Sequence, residues 1–177
     1  GSTWAIIALN KVQALFRKQA KTKFYGRRSK TLFKRRLKKI DTFVKIAKSY
    51  LKGSDTQTRI YILDMLKLAY LNLSNEILAT PLPKGLTPDI LAQVQTSLSQ
   101  MSTPYATIVK DYDRLQKTEL ATINPDQQNL IAKKMLDVEN VNYSALVDKE
   151  EYKIHLTTMS DFGNVKILIK QLSTSPM

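Results

Sequence analysis

Cysteine is absent from this 177-residue chain, which excludes disulfides, thiol nucleophiles and cysteine metal sites together. Histidine occurs once, as His155, so neither a two-histidine metal site nor a Ser-His arrangement with a spare base can be assembled. The five glycines never cluster into a phosphate loop; Gly26 beside Arg27 and Arg28 is the nearest approach to an anion site. Asp111 with Asp113, and Glu150 with Glu151, are too close in sequence to share a helix face, so paired-carboxylate chemistry is not expected from them. No uninterrupted apolar run reaches the roughly 18 residues of a membrane span. These absences point away from an enzyme and from any cofactor or metal.

Acid is missing from the first third. Residues 1–52 hold 16 Lys and Arg against one carboxylate, Asp41, while the remaining residues carry 12 basic and 14 acidic side chains out of totals of 28 and 15. Such asymmetry makes one end of the molecule electropositive, which suits an acidic protein, a nucleic acid or an anionic membrane face.

What is present is helix after helix. Ala5, Ala8, Leu9, Val12, Leu15 and Phe16 recur at helical spacing, and Trp4, Ile6 and Ile7 widen the apolar arc enough to predict cover on two sides. A second helix from Ser29 carries Phe33, Leu37, Ile40, Val44, Ala47 and Leu51 in alternating steps of four and three, with Gly53 as its stop. Ser54 or Asp55 caps a third, ended by Pro81. Thr87-Pro88-Asp89 starts a fourth with a capping hydroxyl, a proline and a dipole-matched acid. Pro104 either kinks that helix or opens a fifth, and Asn124-Pro125-Asp126-Gln127 repeats the start signal. The spacing predicts Leu37, Ile40, Val44, Leu63, Leu66, Tyr70 and Leu98 as core.

The segment ATPLPKGLTPDILAQ, residues 79–93, concentrates proline and glycine in a chain poor in both. Pro81 and Pro83 fix φ and disfavour helix just before them, and Gly85 permits a positive φ, so the segment is stiff at one end and sharply bent at the other. Pro81, Pro83, Lys84, Gly85, Leu86, Thr87, Pro88 and Pro104, together with a preceding repeat-like helix WAIIALNKVQALF, resemble the C-terminal part of divergent tetratricopeptide repeat proteins of the Gram-negative cell envelope. The likeness covers roughly residues 30–140. It implies an all-α fold of stacked antiparallel helix pairs, a TPR-like solenoid, acting as a scaffold for protein assembly in the bacterial envelope or periplasm. It names no ligand. The helix after the turn, DILAQVQTSLSQ, departs from the family in being almost uncharged, and the small and aromatic positions of a 34-residue repeat are kept only loosely, as at Ala69 and Tyr70.

The expected organisation is a tag remnant at 1–2, a TPR-like domain over 3–143 and a C-terminal extension over 144–177. In that extension a helix pair and a β-hairpin both fit, and alternating apolar residues on either side of Phe162-Gly163-Asn164 favour the hairpin. The segment RRSKTLFKRRLKKIDTFVKIAKSYLK is the most pointed feature. With the apolar seam turned inward, Arg27, Arg28, Lys34, Arg35, Lys38, Lys45 and Lys48 are the expected partner-binding face. An acidic protein surface is the favoured partner, with nucleic acid or an anionic membrane as alternatives. A charged helix face that is merely solvated is the competing reading of the same residues.

Overall fold

The computed structural model describes residues 2–22 and 24–132, which form five α-helices and no strand. These are α1 (Ser2–Ala20), α2 (Ser29–Leu51), α3 (Thr56–Leu78), α4 (Pro88–Leu120) and α5 (Pro125–Ala132). The all-α architecture is as expected. The hairpin predicted about Phe162 and the extension at 144–177 lie outside the described residues, as does His155.

The starts and stops follow local chemistry. The Asp55 carboxylate accepts the Thr58 backbone N–H at 3.1 Å and caps α3, while the neighbouring Ser54 hydroxyl donates back to the Tyr50 carbonyl. Thr87 caps α4 by accepting the Ile90 N–H, with Pro88 and Asp89 in the first turn. Asn124 accepts the Asp126 N–H at 2.8 Å ahead of α5. Gly53 and Gly85 adopt φ of +80° and +85° in the two inter-helix turns, a conformation that a Cβ would strain.

Contacts along the helices fix their directions. Trp4 meets Tyr50 and Phe16 meets Phe43, each edge-on at 5.9 Å, so α1 and α2 run antiparallel. Arg59 reaches Glu119, Lys67 reaches Asp113, and Ser74 reaches the Ser102 carbonyl, so α3 and α4 are antiparallel along their length. The proline-rich segment after Leu78 is thus the turn between two packed helices. Helix α3 also lies against both α1 and α2. Two antiparallel pairs are joined through the first helix of the second pair, and from Ser2 to Thr56 the pairs are offset by 54 residues.

Because α3 touches three helices, it is buried nearly all round. Ile62, Leu66, Ala69 and Leu73 are enclosed together with Phe16, Phe43 and Ile40. The same enclosure takes in polar residues that have no place in an ordinary core: Asp64, Lys67, Asn72 and Glu76 are all buried on α3. The Asn72 amide makes no hydrogen bond among the described residues.

Three expectations change in detail. Leu37 and Tyr70 are half-buried, because both lie at the edge where α3 is open between its neighbours; Ile40, Val44, Leu63, Leu66 and Leu98 are buried. On α1 a single stripe of Ala8, Val12, Phe16 and Ala20 is covered, and Ile6 and Ile7 remain 58% exposed. Pro104 lies inside one continuous helix of 33 residues. Proline removes only one N–H, and the face that packs on α3 continues through it, from Val94 and Leu98 before to Val109 and Tyr112 after. Ser102 and Thr103 hydroxyls donate to the Ser99 carbonyl, and Thr107 donates to the Thr103 carbonyl, adding side-chain bonds to the turns on both sides of the proline.

Leu63 is 3% exposed within this core. Leu63→Ala is expected to destabilise the protein by about 2–5 kcal/mol, read from denaturant unfolding monitored by circular dichroism. A loss below about 0.5 kcal/mol, the scale of an ordinary surface change, would show that Leu63 is not packed.

Candidate functional site

Helix α2 carries eight Lys and Arg and one acid, and the structure sorts them into three groups. Arg36 goes inward. It stands four residues before Ile40 and seven before Phe43, on the apolar seam, and is fully buried. Its guanidinium grips the Glu76 carboxylate of α3 with two parallel bonds, Nη1 to Oε1 at 3.1 Å and Nη2 to Oε2 at 2.7 Å. Its Nε donates to Gln19 Oε1 of α1 at 2.9 Å, and Nη1 also donates to the Thr22 carbonyl. The Phe24 ring lies beneath the guanidinium at 5.9 Å, and the Tyr25 hydroxyl donates to the Glu76 backbone carbonyl. One cation thereby joins α1, the α1–α2 turn, α2 and α3.

The second group is the outward line. Lys34, Lys38, Lys45 and Lys48 follow each other at steps of four, seven and three, all exposed, on the side of α2 away from the seam. Lys45 pairs with Asp41 at 3.2 Å, but both side chains are largely in water, so the pair contributes little. Arg27 and Arg28 are exposed in the turn that precedes the helix. Of the residues expected on a partner-binding face, Lys34, Lys38, Lys45 and Lys48 share one side of α2, and Arg27 and Arg28 are exposed ahead of it.

Arg35 is the exception. With Lys39 it turns to the flank of α2 that faces the end of α1, where Lys18 and Lys21 approach. These four, with Thr22 and Leu32, line an open groove of about 450 Å³. A second recess, about 570 Å³, runs along Gln95, Thr96, Ser99 and Thr103 of α4 and bears no charge.

Between α3 and α4 lies a tyrosine stack. Tyr70 of α3 stands between Tyr105 and Tyr112 of α4, with ring centroids 6.3 and 6.1 Å away and planes within 16° and 21° of parallel. Burial pushes the Tyr70 phenol from its usual value near 10 up to about 12, with smaller contributions from Tyr112, from Asp41 and from Tyr105. Burial raises Tyr105 as well. Half-buried Met101 and Ile108 continue this edge along α4.

A further polar cluster clamps α3 to α4. Buried Lys67 contacts Asp113 at 3.2 Å, Gln116 at 2.6 Å and Asp64 at 3.5 Å, and the Gln116 amide donates to the Ile60 carbonyl and to Asp64. Asp113 faces Lys67 while Asp111 pairs with Arg114 on the outer side, so the two carboxylates point apart as their spacing implies. Among the described residues no group of three His, Cys, Asp or Glu is placed to hold a metal ion, and no helix is long and apolar enough to cross a membrane.

Taken as a class, the fold is a packed all-α array of antiparallel helix pairs with a cationic outer helix. Comparison with family models, with curated proteins and with solved structures finds no match. Sequence reasoning missed the inward role of Arg36, hidden in the run Lys34-Arg35-Arg36. The available signal was its phase relative to Ile40 and Phe43, and Glu76 near the end of α3 was its complement.

Truncating one member of the buried pair strands the other in a dry core. Arg36→Met is expected to destabilise the protein by about 3–5 kcal/mol, and Arg36→Met with Glu76→Leu by clearly less. A double-mutant cycle in denaturant measures this, and simple additivity would refute it. A second expectation follows from Tyr70. Its folded value lies above its unfolded one, so the stabilisation of the neutral phenol is present below pH 10 and lost as pH rises through about 12. Alkaline unfolding in that window should be blunted in Tyr70→Phe, and phenolate absorbance should show late-titrating tyrosine that the variant lacks.

Proposed function

We propose that this chain is a non-enzymatic helical scaffold of the tetratricopeptide kind, of the bacterial cell envelope, whose basic face docks an acidic protein. The observation that carries the reading is the line of Lys34, Lys38, Lys45 and Lys48. These are four exposed cations in one row, with Arg27 and Arg28 at its start and Asp41 as its one internal counter-charge. Like charges at helical spacing repel by a few tenths of a kcal/mol per pair, so an acidic partner relieves strain as well as adding contacts. The repeat kinship rests on the sequence resemblance at Pro81, Pro83, Lys84, Gly85, Leu86, Thr87, Pro88 and Pro104. The offset of 54 residues between pairs is longer than a standard 34-residue repeat, so the kinship does not extend to the period.

Single-stranded nucleic acid is the second reading, resting on the same exposed cations, which suit a phosphate backbone. An anionic membrane is the weaker alternative. A basic helix lies in a membrane interface through its apolar side, and that side of α2 is occupied by α1 and α3.

Reversing Lys38 and Lys45 to Glu is expected to leave helical content intact while weakening capture of an acidic protein partner, because the seam is untouched. Raising salt from about 0.05 to about 0.5 M should mimic the change, as the Debye length falls from roughly 14 Å to roughly 4 Å. Titration and circular dichroism on the same samples check this. Undiminished binding by the folded double variant would reduce the row to a solvated face, and salt-sensitive binding of any oligonucleotide would favour the second reading.

A further inference from the structure

We infer that the groove between the end of α1 and the start of α2 is a binding site for a multiply charged phosphate anion, separate from the outward face of α2. Lys18, Lys21, Arg35 and Lys39 surround it, and none of the four makes an ion pair among the described residues. Its volume of about 450 Å³ falls within the range of small-ligand sites, and Leu32 supplies one apolar wall.

The backbone beneath the groove is prepared for negative charge. Where a helix ends, free carbonyls repel an anion. Here they are occupied. The Thr22 hydroxyl donates to the Lys18 carbonyl, the Lys21 and Thr22 N–H groups bond the Arg17 and Gln19 carbonyls, and Arg36 donates to the Thr22 carbonyl at 3.2 Å. On the other wall the first turn of α2, whose Leu32 lines the groove, carries no acid that would compete with an anion. The groove also rests on the rigid Arg36–Glu76 pair, which fixes the separation of its two walls.

Four cations held around one recess without counter-charge repel each other, and an anion bridging them stabilises the fold by linkage. A single chloride has too little charge to answer four cations, and a bulky base or sugar is not needed to explain the recess. The matching ligand carries two or more phosphate charges, either as a free polyphosphate or organic phosphate or as a lipid headgroup.

The test uses inorganic pyrophosphate as probe, titrated at constant ionic strength set with sodium chloride. We expect saturable one-to-one binding by calorimetry, a rise in Tm, and amide shifts on the unsubstituted protein centred on Thr22 and Leu32. Lys21→Gln with Arg35→Gln should weaken binding at least about tenfold, the scale of losing charge-assisted hydrogen bonds. Lys45→Gln with Lys48→Gln, which removes the same charge from the outward face, should change it less than about twofold. Flotation with phosphatidylcholine vesicles, with and without phosphatidylglycerol, separates the sources. Vesicle association displaced by pyrophosphate assigns a headgroup, and pyrophosphate binding without vesicle association assigns a soluble phosphate. Non-saturable binding, equal loss in both double variants, or shifts centred on Lys45 and Lys48 would overturn the site. The amide shifts need no substitution, so a misfolded variant leaves the test intact.

Discussion

The bidentate grip of Arg36 on Glu76 is the constraint that organises the first half of the molecule. Both side chains are removed from water, so neither partner tolerates the loss of the other. Every acceptor around the guanidinium comes from a different piece of chain: Gln19 from α1, Thr22 from the turn and Glu76 from α3. An apolar seam alone specifies that α2 packs against something. Four hydrogen bonds from one arginine, directed to three segments, specify the rotation and height at which it does so. The Lys67 cluster plays the same part between α3 and α4, where Asp64, Asp113 and Gln116 converge on one ammonium.

This division explains why a chain with so many cations folds. The seam of α2 is apolar but for one arginine that is fully answered, and the remaining charge is distributed over two surfaces at different angles around the helix. Spreading the lysines over an outward row and an inter-helix groove lowers the repulsion that a single face would suffer. It also gives the molecule two chemically distinct basic surfaces, one long and convex, the other small and recessed.

Much of the fold was legible in sequence because its signals are local. Asp55, Thr87-Pro88-Asp89 and Asn124-Pro125 announce helix starts by the hydrogen bonds they later make, and Gly53 marks a stop by the φ it later adopts. The seam of α2 is readable for the same reason. The burial of Lys67, Asn72 and Glu76 was not, since it depends on α3 being enclosed by three helices, which no window along the chain reports. Of the expected face, the row of lysines follows from phase alone. The departure of Arg35 toward Lys18 and Lys21 needed the placement of α1, a long-range fact.

Pro104 has a consequence for how α4 opens. The polar clamps on this helix, Asp113, Gln116 and Glu119, all lie beyond the proline, whereas the turns before it are held chiefly by Val94, Leu98 and the Ser74 hydroxyl reaching Ser102. The proline interrupts the hydrogen-bond ladder between these two stretches. The first half is held to α3 by apolar packing and one hydroxyl and the second by buried charge as well, so amide exchange is expected to run ahead in the turns that bear Gln95, Ser99 and Thr103.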